Sequence, residues 1–257
     1  MGIGSSPGAR YPSEDDVNAV FSPQAQLGWQ VGALSARPGQ PTDAPLPPGL
    51  HLLSDGRGQE SALFVPPGAT SAALPLAVLL HGATSHPQRV LPVLREQAER
   101  GRFLVLAPKS RERSWDIVGG GFGPDIAMLD RLLSQVFEHF EVDPARIAVA
   151  GFSDGASYAL SVGLINGELF NRILAFSPGF VAPGRRSGKP AVFISHGDAD
   201  TVLPIQRCSR RIVGQLRAEG YQVDYREFAG GHMVPPDLAA AAVEPLVVLP
   251  GGAAARD

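Results

Sequence analysis

A serine hydroxyl attacks a carbonyl only when a base takes its proton, and the base works best when a carboxylate orients it and stabilises its charged form. The stretch Gly151-Phe152-Ser153-Asp154-Gly155 offers such a serine. It matches G-x-S-x-G, the pattern of a sharp strand-to-helix turn that holds its central residue strained and projects it outward. Ile147, Ala148, Val149 and Ala150 form a short apolar run before it, as in a strand buried on both faces. Ala156, Tyr158, Ala159, Leu160 and Val162 recur after it at helical spacing. The alternative is an ordinary surface turn. The strand before and the helix after favour Ser153 as a nucleophile.

In a sheet fold, catalytic groups gather past the carboxyl ends of strands. Of the histidines, His232 fits the base best, because Ala229-Gly230-Gly231 leads to it from the last strand. His81 and His196 also follow strands, but Gly82 and Gly197 come directly after them. Bracing those turns through hydrogen bonds is their expected part. The acid belongs to the loop His196-Gly-Asp-Ala-Asp200, which offers Asp198 and Asp200, or else a solvated acidic turn. An oxyanion needs two donors. One is the Asp154 N–H, just after the nucleophile, and the other is expected from Ala83, in the loop after the Leu76–Leu80 strand.

The elements that would position these residues alternate. Leu50–Leu53 and Ser61–Val65 read as a hairpin across Asp55, Gly56 and Gly58. Strands are expected at Leu76–Leu80, Phe103–Ala107, Ile147–Ala150, Ile173–Phe176, Ala191–Ser195 and Val223–Phe228. Helices are expected at Val90–Arg100, closed by Gly101, then at Asp125–Phe140, Ile205–Glu219 and Pro236–Glu244. The Asp125–Phe140 stripe of Ile126, Leu129, Leu132, Leu133, Val136, Phe137 and Phe140 is the strongest helical signal. Alternation of this kind implies an α/β protein, with a mostly parallel sheet, an antiparallel edge hairpin and helices on both faces. Residues 1–49 read as an N-terminal extension and Pro/Gly-rich connector, with a short helix at Asp15–Phe21. Residues 50–245 read as the catalytic domain and 246–257 as a tail.

The chain has 257 residues, 44% hydrophobic and 18% charged, which suits one large α/β domain. A net charge of −3 gives no footprint for nucleic acid or an anionic membrane. The single Cys208 excludes an intrachain disulfide and a cysteine zinc site, and nothing has the ligand spacing of a metal centre. No cofactor is expected. No stretch is long enough for a transmembrane helix, and the first residues lack the apolar core of a signal peptide. A cytoplasmic location is the default expectation. Gly2 with Ser6 matches a myristoylation pattern, which reads more simply as a flexible glycine/serine-rich end.

His81-Gly82-Ala83, Gly151–Gly155, His196–Asp200 with Val202 and Pro204, and Gly231-His232 together resemble the α/β-hydrolase superfamily. The resemblance is narrower to its phospholipase/carboxylesterase branch, near the polyhydroxybutyrate-depolymerase-like and feruloyl-esterase-like esterases. It covers about residues 50–238. It implies that the acid is Asp200, the second acidic position of its loop, and that the activity is ester hydrolysis through an acyl-enzyme. Before Leu50 the family offers no counterpart.

The segment Ser177–Pro190 is too short to hold a helical lid. An open pocket of this kind fits small or short-acyl esters, with Trp115, Phe180 and Val202 as expected pocket walls. The alternatives are a polyester depolymerase or feruloyl-type esterase, a serine peptidase, and a non-catalytic binding protein on the same fold. The oligomeric state is not legible in the chain.

Overall fold

The computed structural model describes residues 28–54, 60–69 and 73–247. The expected Asp15–Phe21 helix, the turn from Asp55 to Gly58 and the tail beyond Val247 lie outside them. One eight-stranded sheet runs in the order β1-β2-β4-β3-β5-β6-β7-β8. Its strands are β1 (Gly49–Ser54), β2 (Glu60–Val65), β3 (Leu74–Leu80), β4 (Leu104–Ala107), β5 (Val142–Phe152), β6 (Arg172–Phe176), β7 (Ala191–Gly197) and β8 (Val223–Phe228). β1 pairs antiparallel with β2, and β2 antiparallel with β4. From β4 to β8 every pairing is parallel. The opening hairpin thus forms the antiparallel edge, and the sheet is open.

Alternation along the strands builds two cores. Leu76, Val78, Leu80, Ile147 and Val149 face one side. Ala77, Leu79, Ala148 and Ala150 face the other. The first side is covered by α3 (Pro124–His139), α4 (Asp154–Ile165) and α5 (Ser209–Ala218). The second is covered by α2 (Pro92–Gly101) and α6 (Pro236–Val243). Each buried Leu or Ile contributes about 2 kcal/mol through removal from water. α3 turns the expected stripe from Ile126 to Phe137 inward, while Phe140, also buried, follows the end of the helix in extended conformation.

Several boundaries differ from the sequence expectation. The stretch Val90–Arg100 is two pieces, a short α1 (Pro87–Val90) and then α2, because Pro92 has no N–H to carry the helical ladder through Leu91. Gly101 does not end α2 in a left-handed conformation. It is the last helical residue, and Arg102 takes the left-handed step at φ 51°. Glycine is needed there because a Cβ would stand 2.8 Å from Val247 Cγ2. The Ile205–Glu219 helix starts only at Ser209, after a turn in which Arg207 and Cys208 both donate to Pro204 O.

Residues 28–49 run along the first core. Trp29, Leu34 and Ala36 are buried. One carboxylate holds them. Asp130 accepts the Ser35 N–H at 2.8 Å and the Ala36 N–H at 2.7 Å on Oδ1. On Oδ2 it accepts Trp29 Nε1–H at 2.9 Å and the Ser35 hydroxyl at 2.5 Å. Asn166 adds a bond from its side-chain amide to Gly32 O and accepts the Leu34 N–H.

Candidate functional site

The turn between β5 and α4 carries Ser153 at φ 58° and ψ −122°, a backbone conformation that a side chain rarely adopts. Two glycines make the turn possible. A Cβ on Gly151 would collide with the Gly155 backbone, and a Cβ on Gly155 would collide with the backbone of Leu80 and His81. Ser153 N–H donates to Phe176 O at 2.9 Å, which ties the turn to the end of β6. The strain is therefore held by the sheet ladder and by close approach of backbones on both sides.

Three strand ends converge on this turn. His232, in the loop after β8, places Nε2 2.9 Å from Ser153 Oγ. Its Nδ1 lies 2.6 Å from Asp200 Oδ2. Asp200 follows β7. Its Oδ1 accepts the N–H groups of Val202 and Leu203, each at 2.9 Å. Burial pushes the Asp200 carboxyl up, but the Leu203 N–H, His232 and the Val202 N–H outweigh it and leave the pKa below the usual value. Asp198 is placed differently. It turns to the Gly230 N–H at 3.1 Å and braces the His232 loop.

The loop after β3 supplies the remaining wall. Ala83 lies beside Ser153 on the cleft. Among the described residues, neither the Ala83 nor the Asp154 backbone N–H has an acceptor. Gly82 lets the loop approach, since a Cβ there would stand 3.3 Å from Ser153 Cβ. His81 fixes the loop from behind. Its Nδ1–H donates to Gly82 O at 2.8 Å, and its Nε2 accepts the Ser110 N–H at 3.1 Å. Burial lowers its pKa to about 4, so the ring is neutral near pH 7. His196 is a second neutral buried ring, lowered mainly by burial, with Nε2–H donating to Leu203 O and Nδ1 accepting from Ser209 Oγ.

The cleft over Ser153 has a volume of about 500 Å³. Val90, Val93, Phe152, Val202, Met233 and Val234 give it apolar walls. Val202, one of the expected walls, lines this cleft. Trp115 is buried beneath the site instead. Its Nε1–H donates to His81 O at 2.8 Å and its ring stacks on Tyr158 with centroids 4.9 Å apart. Phe180 packs against the first core and does not line this cleft. Val93 and Val90 were readable only as a helix face, and Met233 only as a neighbour of His232. The segment 177–190 carries no helix or strand over the opening. Among the described residues no group of three or more His, Cys, Asp or Glu could hold a metal ion, and no helix is long and apolar enough to cross a membrane.

Residues 120–238 match the family model described as phospholipase/carboxylesterase. A probable feruloyl esterase C of Aspergillus oryzae is 24% identical over 110 residues, 42% of this chain and 40% of that protein. The S-formylglutathione hydrolase of Rattus norvegicus is 28% identical over 142 residues, 46% of this chain and 50% of that protein. The chain thus spans half or less of the length of these curated relatives. Among solved structures, esterase PE8 superimposes with a TM-score of 0.60 at 25% identity, covering 72% of this chain and 97% of that one.

Proposed function

We propose that this chain, an α/β-hydrolase similar over residues 120–238 to the phospholipase/carboxylesterase family, is a serine carboxylesterase acting on small or short-acyl esters. One observation carries the reading: Ser153 Oγ, His232 and Asp200 form an unbroken hydrogen-bonded line of 2.9 Å and 2.6 Å. In this reading Ser153 attacks the ester carbonyl while His232 Nε2 takes its proton. Asp200 holds Nδ1–H and stabilises the imidazolium. The N–H groups of Asp154 and Ala83 receive the oxyanion. His232 then protonates the departing alcohol. Water, deprotonated by the same ring, releases the acyl group from Ser153. The unit doing this is taken as residues 50–245, with residues 1–49 as an extension and 246–257 as a tail.

The open, partly apolar cleft supports short acyl groups, because nothing in segment 177–190 covers a long chain. A feruloyl-type esterase is the second reading, favoured by the name of the Aspergillus oryzae relative.

A fluorophosphonate probe tests the chemistry. It should label the wild type at Ser153 and leave Ser153→Ala unlabelled. Labelling that survives in the variant would remove Ser153 as the nucleophile. Turnover of p-nitrophenyl acetate and butyrate should exceed that of the palmitate ester, and the reverse order would overturn the short-acyl reading. Faster turnover of methyl ferulate than of either short ester would favour the second reading.

A further inference from the structure

Beside the Ser153 cleft lies a second, larger one of about 800 Å³. The two are continuous, since Ser85 and Arg89 line both. The second cleft is basic. Arg89 comes from α1, and Lys109, Arg111 and Arg113 come from the loop after β4. Glu112 is the only carboxylate among its lining residues, and His86 also borders it. Among the described residues, the guanidinium groups of Arg89, Arg111 and Arg113 form no hydrogen bond and no ion pair. Asp125 lies buried behind the loop, where its carboxylate accepts the Arg111 N–H at 2.9 Å and the Asp116 N–H at 2.9 Å. It acts on the Lys109 and Arg111 charges through space. A chain of net charge −3 thus gathers four cations along one cleft that opens into its candidate site.

The loop is built to hold its shape. Asp116 Oδ2 accepts the N–H groups of Gly123 and Asp125 at 2.9 Å. Ser114 Oγ–H donates to Asp154 Oδ2 at 2.5 Å, which ties the loop to the residue after the nucleophile. Arg113 O accepts the Thr84 N–H, which ties it to the Ala83 loop. The basic wall therefore stands at a fixed position relative to Ser153. Guanidinium forks bind carboxylates and phosphates in two-point fashion, and they keep their charge at any working pH.

We propose that this cleft binds an anionic group carried by the ester itself, a carboxylate or a phosphate set apart from the scissile bond, so that the preferred substrates are negatively charged esters. The proposal rests on the reading of Ser153 as an esterase nucleophile. The anion belongs either to the acyl half or to the alcohol half, and one experiment separates them. Release of acid is followed for methyl butyrate against the monomethyl esters of succinate, glutarate and adipate, and for ethyl acetate against 3-acetoxypropionate and 4-acetoxybutyrate.

At least one charged ester should exceed its neutral parent in kcat/KM by about tenfold, the range of a hydrogen-bonded charge pair. The series in which this occurs identifies the half that carries the anion. Charge reversal by Arg113→Glu, and separately by Arg89→Glu, should each lower the charged-to-neutral ratio by about tenfold. Turnover of the neutral parent by Arg113→Glu, which lies outside the Ser153 cleft, reports that fold and site survive. Arg89 lines both clefts, so its variant is read only by the charged-to-neutral ratio, and the two variants lie on separate elements. The preference should also shrink between roughly 20 mM and roughly 500 mM NaCl, as screening shortens the reach of the wall. Neutral parents preferred throughout, or a charged-ester preference that survives both reversals, would overturn the proposal. Loss of all turnover together with absent fluorophosphonate labelling in the wild type would instead overturn the esterase reading, and the proposal with it.

Discussion

His196 stands directly behind Asp200, with its Nε2 3.2 Å from the same Oδ2 that faces His232. The ring is neutral, because burial lowers its pKa, and its Nε2–H is committed to Leu203 O at 2.8 Å. A cation at this position would compete with His232 for the carboxylate. A neutral ring positions Asp200 and leaves its charge to His232. Asp200→Asn should therefore cost about 10⁴ in kcat, by setting the His232 ring in the wrong tautomer. His196→Ala should cost only about tenfold, through looser positioning, together with a clear fall in thermal stability. Single-turnover acylation measures both. A larger loss for His196→Ala than for Asp200→Asn would remove the proposed division of work.

Much of this site was legible because its constraints are local. The turn at Ser153 is written in Gly151 and Gly155, and both glycines stand where any side chain would meet backbone. Strand ends could be placed because β3, β6 and the second half of β5, Ile147–Ala150, are short apolar runs, whereas the polar first half of β5 has no such signal. What escaped depends on single long-range bonds. Residues 28–36 have no hydrophobic period, and they pack because Asp130 collects donors about a hundred residues away in sequence. Trp115 is an expected pocket wall in the sequence, set beside the glycine-rich loop Gly119–Gly123. Its indole N–H is instead used by His81 O, which draws the ring under the site. The basic cleft combines Arg89 with a loop twenty residues on, and neither stretch is unusual alone.

Two glycines to alanine should move stability in opposite directions. At Gly155 the new Cβ meets the backbone of Leu80 and His81, which cannot yield without opening β3. The loss should exceed about 4 kcal/mol, enough to leave little folded protein. Gly214 lies on the exposed side of α5, and a methyl group added there would meet nothing within 4 Å. Gly214→Ala should stabilise by about 1 kcal/mol, because it restricts the unfolded chain and favours the helix. Urea midpoints at neutral pH measure both. A destabilised Gly214→Ala would refute the argument.

Asp130 gathers the segment from Trp29 to Ala36 onto α3. Removing its carboxylate takes this acceptor from the buried Trp29 indole N–H and Ala36 amide, and from the amide and hydroxyl of Ser35, which is itself exposed. Asp130→Ala should cost roughly 3 kcal/mol or more. It should also raise hydrogen exchange at Ser35 and Ala36 well above that of the strand amides. Turnover of p-nitrophenyl butyrate should change far less, since these residues line neither cleft. A variant as stable as the wild type would show that the segment is held by apolar packing alone.

The same bookkeeping of buried groups fixes the acid response. His81 has its pKa lowered from 6.5 to about 4 by burial. Between those values the unfolded chain binds a proton that the folded chain refuses, so stability falls as pH falls from about 6.5 to about 4, by at most roughly 3 kcal/mol from this group. Asp125 works against it. Burial raises its pKa from 3.8 to about 6, so in that window the folded chain holds a proton that the unfolded chain has released. Acidification therefore favours folding through Asp125 while it disfavours folding through His81. His81→Gln keeps an amide donor for Gly82 O and an acceptor for the Ser110 N–H, but has nothing to titrate. Its unfolding free energy should fall less steeply than that of the wild type between pH 6.5 and 4.5. Asp125→Asn should fall more steeply. Equal slopes for all three proteins, measured by urea unfolding across that range, would show that neither buried group sets the acid limit.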